Sequence, residues 1–194
     1  MHEIQTFCQA IGERDSYTMK HSMKVAGLMA GFAEYVELPG DDVTLAYLIG
    51  IVHDIGKVGV PSHILNKAGR LTAEEFSVIK QHPDIGARLL AKMDGLEKVA
   101  EVVRHHHERY DGTGYGQGLA GEEIPFFSRM LSLCDAFDAM TSSRCYRWKP
   151  LSTNSALEEI ASCAGTQFDP ELSRDFADFI KAQSALGKLA SSGV

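Results

Sequence analysis

Seven side chains able to hold a divalent metal ion sit in short motifs along the chain: His21, His53, Asp54, His82, His106, His107 and Asp135. The densest stretch is His53-Asp-Ile-Gly-Lys57, which follows directly on the apolar run Leu45-Ala-Tyr-Leu-Ile-Gly-Ile-Val52. An imidazole, a carboxylate and an ammonium at the end of a buried run are costly unless something pairs with them. A divalent metal would do so, since imidazole and carboxylate are its usual nitrogen and oxygen ligands. Taken alone, a His-Asp pair reads more simply as a salt bridge beside a surface histidine. The conjunction of motifs is what points to metal. This many ligands exceeds one ion of ordinary coordination and suits two ions that share a bridging carboxylate. Two ions about 3.5–4 Å apart can clamp a phosphodiester and deliver a hydroxide in line. Ligation by nitrogen and oxygen without thiolate suits iron, manganese, nickel, cobalt or zinc.

Each ligand or adjacent pair is expected on a different helix or helix end, which is how helical bundles assemble metal sites in their cores. Tyr17 to Val36 carries Val25, Leu28, Met29, Phe32 and Val36 at core-facing helical spacing, and His21 falls on the same face. Pro39-Gly-Asp-Asp42 turns into the helix that ends at His53-Asp54, and Gly56, Gly59 and Pro61 break that helix around Lys57. Thr72-Ala-Glu-Glu75 has the form of a capping box and predicts a helix running towards Leu90, perturbed at Pro83, directly after His82. A further helix spans Leu96 to His107. Adjacent residues on a helix point about 100° apart, so His53 and Asp54, like His106 and His107, can reach two neighbouring ions or two positions of one. His105 is read as the outward member of its run, and His2 and His63 as solvated. Asp135 and Asp138 lie three apart on a helix opened by Pro125, and two more amphipathic helices follow. No stretch alternates with period two. The reading is all-α, a bundle of about seven or eight helices and one domain over residues 1–194, with the last two helices as a cap.

The net charge of −7 argues against a broad basic surface for a nucleic-acid polymer, though not against a small phosphate ligand. Cys8, Cys134, Cys145 and Cys163 show no CxxC spacing, no apolar run approaches the roughly 20 residues that span a bilayer, and the N-terminus is no signal peptide. A cytoplasmic protein without membrane contact is expected. Arg109 to Glu123 is the one long irregular stretch, holding five glycines, and such ordered loops are usually functional.

In order along the chain, the motifs resemble the HD-GYP family, a branch of the HD-domain phosphohydrolases. They are Asp15-Ser-Tyr-Thr-Met-Lys-His21; His53-Asp-Ile-Gly-Lys-Val-Gly-Val-Pro61; Ile64-Leu-Asn-Lys-Ala-Gly-Arg-Leu-Thr72; Ile79-Lys-Gln-His-Pro83; His106-His-Glu-Arg-Tyr-Asp-Gly-Thr-Gly-Tyr115; Gly118-Leu-Ala-Gly-Glu-Glu-Ile-Pro125; Arg129; Asp135-Ala-Phe-Asp-Ala-Met-Thr141; Arg144-Cys-Tyr-Arg147; and Phe168-Asp-Pro170. The resemblance implies an HD-domain bundle with a metal centre in its core, and hydrolysis of cyclic di-GMP to pGpG or GMP in second-messenger signalling. It implies two divalent transition metals, iron or manganese first. His21, His53, Asp54 and Asp135 would hold one; His82, His106 and His107 the other; Asp54 would bridge. Lys57 resembles the lysine beside the substrate phosphate, and Arg144 and Arg147 the cationic pair that grips phosphate oxygens. Asp54 and Lys57 would be the catalytic residues. Members with three metals carry a glutamate where this chain has Tyr17, so two are expected.

The signature Gly-Tyr-Pro reads Gly114-Tyr115-Gly116 here, and glycine is expected to free the backbone that proline would fix. Tyr115 would stack on or hydrogen-bond to a guanine; the alternative is a loop tyrosine packed on the bundle. In the family this loop also docks partners such as diguanylate cyclases, which makes 109–123 the candidate surface for signalling proteins. Three alternatives stay open: hydrolysis of a cyclic GMP-AMP, another HD hydrolase acting on a nucleotide monophosphate, and a receptor that binds the dinucleotide without cleaving it.

Overall fold

The computed structural model describes residues 16–142 and 149–191. Segments 1–15, 143–148 and 192–194 lie outside it, and with them His2, Cys8, Cys145, Arg144 and Arg147; the side chain of Tyr17 is likewise not described. The described residues form helices α1 (Ser16–Tyr35), α2 (Gly40–Val52), α3 (Ser62–Leu65, a single turn), α4 (Ala73–Ile79), α5 (His82–Leu90), α6 (Glu97–His105), α7 (Phe126–Thr141), α8 (Thr153–Ser162) and α9 (Pro170–Ser191). A 3-10 helix, Ile55–Gly59, follows α2. The described residues contain no strand, only an isolated bridge between Ala164 and Phe168. The all-α bundle expected from the sequence is what forms.

The core is apolar side chains at helical spacing. Val25, Met29 and Phe32 of α1, Ala46, Ile49 and Val52 of α2, and Met130, Leu131, Leu133 and Cys134 of α7 are fully shielded from solvent. The central layer is thus α1, α2 and α7, the three elements that carry or lead into His21, His53 and Asp135. The last helix does more than cap this layer. Phe176 is fully buried, its ring meets Phe32 edge-on at 5.2 Å and Phe137 at 5.4 Å, and Phe179 stacks on Phe32 at 5.7 Å. Such aromatic contacts add to the area they bury. Asp169 holds the start of α9: its Oδ1 accepts from the backbone N–H of Glu171 and Leu172, while its Oδ2 pairs with Arg129 of α7.

The helix expected to run from Thr72 towards Leu90 is two helices. The capping box forms as expected, with Thr72 Oγ1 accepting from Glu75 N–H and Glu75 Oε2 accepting from Thr72 N–H. α4 ends at Ile79, however, and α5 begins at His82 with Pro83 in its first turn, where a missing N–H costs nothing. The break turns His82 inward: it is 1% exposed, whereas α4 buries none of its residues.

Candidate metal centre

Six elements bring their polar ends to one place. His21 comes from α1, His53 and Asp54 from the end of α2, Lys57 from the 3-10 helix, His82 from the first turn of α5, His106 and His107 from just beyond α6, and Asp135 from α7. The ligand atoms of His21, His53 and Asp54 lie within 4.8 Å of one another, and so do those of His82, His106 and His107. Asp54 joins the two groups. Its Oδ2 is 3.4 Å from His53 Nε2, and its Oδ1 is 3.4 Å from His82 Nε2. Lys57 Nζ donates to Asp54 Oδ2 at 2.6 Å, and Asp135 Oδ1 lies 3.0 Å from His21 Nε2.

The imidazoles are oriented from behind. Nδ1 of His53, His82 and His106 each donates to the backbone carbonyl three residues earlier, on Gly50 (2.8 Å), Ile79 (2.8 Å) and Val103 (2.6 Å). With Nδ1 protonated, every Nε2 presents a lone pair to the centre. This is the usual way in which an outer hydrogen bond fixes the tautomer of a ligating histidine. His21 is held differently, with Nδ1 2.6 Å from Oδ2 of Asp138. Asp138, 4% exposed, also accepts from Ser142 Oγ.

A metal fits this donor set for a reason internal to it. His82 Nε2 and His106 Nε2 approach to 3.4 Å although the proton of each ring is committed to Nδ1. Two lone pairs therefore face one another, an arrangement that a cation between them relieves. His53 Nε2 is buried with no hydrogen-bond partner. Buried polar atoms left without a partner cost about 1–3 kcal/mol, and a bound cation would satisfy this one.

Charge follows the same division. Burial holds His82 below its usual pKa, and it drives His106 further down with help from neighbouring histidines. Burial also lowers His107, to about 3. All three are neutral at physiological pH, the form in which an imidazole can bind a metal. Burial would lower His21 too, but hydrogen bonds to Asp135 and Asp138 outweigh it and raise its pKa to about 9. Asp54 stays below the carboxylate range despite burial, chiefly through Lys57 and then His53.

A cavity of about 630 Å³ opens beside this centre, with His106, His107 and Asp135 in its wall. The loop from Arg109 forms another side. Tyr115 is half-buried, stacks on His107 at 4.6 Å and meets Phe76 edge-on at 6.2 Å. Burial, with Asp135 and Asp54, raises the Tyr115 phenol above its usual pKa, so it remains a neutral hydrogen-bonding group.

Gly116 does not free this loop as expected. Glu108 fills the space instead, and a Cβ at position 116 would lie 2.4 Å from its Oε1. That oxygen accepts from the backbone N–H of Gln117 and of Gly118. Asp111 N–H donates to Thr166 O and Tyr110 N–H to Gln167 O, tying the loop to the turn before α9.

Three residues of the site were not singled out from sequence. Asp138 carried a signal in its i, i+3 spacing from Asp135. Glu108 and His105 carried none. His105 is buried, not outward as its run suggested, with Nδ1 3.7 Å from Glu108 Oε1. His63 is exposed as expected.

The fold agrees with what the chain is similar to. The family model described as the HD domain matches residues 5–172. A cyclic di-GMP phosphodiesterase of Pseudomonas aeruginosa is 45% identical over 169 residues, covering 87% of this chain and 40% of that protein. A 3′3′-cGAMP-specific phosphodiesterase of Vibrio cholerae is 38% identical over 137 residues, covering 71% of this chain and 32% of that protein. The chain therefore spans less than half the length of these relatives. Among solved structures, a HDGYP protein of Bdellovibrio bacteriovorus shares the fold at a TM-score of 0.68 and 19% identity, over 86% of this chain and 53% of that one. With the model running across both histidine clusters and the His53-Asp54 pair that joins them, the chain belongs to the HD domain family.

Proposed function

We propose that this domain is a metal-dependent phosphodiesterase that opens cyclic di-GMP to linear pGpG or GMP in bacterial second-messenger signalling. The observation that carries the proposal is the Asp54 carboxylate, set between two clusters whose Nε2 lone pairs converge. Two divalent transition metals, iron or manganese first, would be held by His21, His53, Asp54 and Asp135 on one side and by His82, His106 and His107 on the other. Bound there, they would supply a hydroxide near neutrality and offset charge on the phosphoryl oxygens.

The chain's own groups do the rest. Lys57 Nζ, beside Asp54, brings a cation to a phosphoryl oxygen as negative charge builds there. Asp138 keeps His21 oriented through Nδ1. Tyr115, braced on His107, forms one wall for the substrate. Arg144 and Arg147, outside the described residues, are proposed to grip phosphate from the resemblance alone. The loop over 109–123 is the surface proposed for signalling-protein partners. A cytoplasmic setting is proposed as well; no described helix is long and apolar enough to cross a membrane.

The test is to load the protein with manganese or ferrous iron, incubate it with cyclic di-GMP and with cyclic GMP-AMP, and separate the products by chromatography. Cyclic di-GMP should be cleaved faster, because the relative named for it is the more similar of the two compared. Faster cleavage of cyclic GMP-AMP would reassign the substrate. Tight binding of either, with metal present and no product, would make the domain a receptor.

The variant loop gives a second expectation. Gly116→Pro restores the family's motif yet should lower hydrolysis about tenfold, since small displacements of positioning groups are costly. The proline ring would enter the space of Glu108 and displace it from the N–H groups of Gln117 and Gly118. A variant faster than the parent protein would show that Glu108 does not set the loop.

A further inference from the structure

We propose that the cavity beside the metal centre is a guanine subsite, with Glu159 as the residue that reads the base. This rests on the cyclic-dinucleotide reading and adds to it a group that selects between bases. The cavity, of about 630 Å³, has Met140, Phe168 and Tyr115 among its lining, surfaces suited to a flat aromatic ring. Most of its polar side chains are already engaged. Arg109 donates to Asp111, Thr113 and Gln167. Thr113 Oγ1 donates to Asp111, and Ser132 Oγ to Arg129 O. Glu108 Oε1 accepts from the loop N–H groups.

Glu159 differs. Among the described residues its carboxylate has only the weak Cys163 thiol contact at 4.0 Å, and it is exposed where the cavity meets solvent. A carboxylate only accepts hydrogen bonds. The nucleobase edge that meets it with two neighbouring donors is the N1–H and 2-amino edge of guanine. Adenine brings an acceptor, N1, to the same place and is repelled. Gln167 complements this choice. Its Oε1 is taken by Arg109 Nη1 at 3.1 Å, so the amide group it has left to offer is the NH₂, a donor suited to guanine O6.

The experiment compares the parent protein with Glu159→Ala, both loaded with manganese. One readout is the ratio of the rate on cyclic di-GMP to that on bis(p-nitrophenyl) phosphate, a diester without a base. The other is calorimetric binding of GMP and of AMP, neither of which has a diester to cleave. A two-donor pair with one carboxylate predicts that the parent binds GMP about tenfold more tightly than AMP, and that Glu159→Ala loses most of this preference. The rate ratio should fall by a similar factor. Equal binding of GMP and AMP by the parent, or an unchanged preference in the variant, would overturn the proposal. So would equal loss on both diesters, which is what a structural role for Glu159 produces. A parent that prefers GMP but cleaves no cyclic dinucleotide would keep the subsite and discard the phosphodiesterase reading.

Discussion

Asp54→Ala should lower hydrolysis about a thousandfold or more and reduce the metal retained per chain, while the helical circular dichroism stays unchanged. The size follows from position. Asp54 sets one carboxylate oxygen towards each cluster, Oδ2 at 3.4 Å from His53 Nε2 and Oδ1 at 3.4 Å from His82 Nε2. Losing an outer partner of a metal ligand typically costs 10–100-fold; losing a carboxylate proposed to serve both ions should cost more. The charge balance points the same way. Asp54 is a counter-charge for Lys57, whose ammonium stands beside imidazoles that burial keeps neutral. Lys57 is 23% exposed and can turn towards water, so the fold survives the loss of this contact. The measurements are metal analysis of the dialysed protein and turnover of cyclic di-GMP. Two metals retained, with turnover within tenfold of the parent, would remove Asp54 from the bridging role and the two-metal reading with it.

The parts of this site that could be read from sequence are those whose chemistry is local. His53-Asp-Ile-Gly-Lys57 and His106-His107 put candidate ligands side by side in the chain, and their residue types limit what they can do. The groups that orient them are defined by distant partners. Asp138 acts on His21 from 117 residues away, and its i, i+3 relation to Asp135 gains meaning only once α1 and α7 meet. Glu108 looked like one more charge in a loop. Its role appears when the chain folds back so that a Cβ on Gly116 would strike its carboxylate. Pro83 signalled a perturbation near His82 but not a full break, because Lys80 and Gln81 keep helical dihedrals through it and only the hydrogen-bond pattern changes. The all-α class was plain from the spacing of apolar residues; the tight joint between the 3-10 helix and α5 was not.

That joint sets the second large effect. Gly56→Ala should destabilise the protein by about 3 kcal/mol, near the upper end for overpacking, and so lower Tm by about 6–12 °C for a chain of this size. A Cβ at position 56 would sit 1.9 Å from the carbonyl oxygen of His82 and 2.5 Å from the backbone nitrogen of Gly86. Both are backbone atoms of α5, so no side chain can swing aside. The two elements must separate instead. One of them follows Asp54 and carries Lys57; the other starts at His82. Separation therefore lengthens the 3.4 Å approach between Asp54 and His82 on which both halves of the centre depend. A displacement of about 1 Å in a positioning group can cost about 100-fold in rate, so activity should fall even at temperatures where the variant is folded. Gly27→Ala in α1 is the matched control. Its Cβ meets nothing within 4 Å, and within a helix alanine is favoured over glycine by about 1 kcal/mol. The control should melt at or above the parent temperature. Gly56→Ala melting with the parent at full activity would mean that the 3-10 helix and α5 are not in contact, and that the two clusters are joined by some route other than Asp54 and His82.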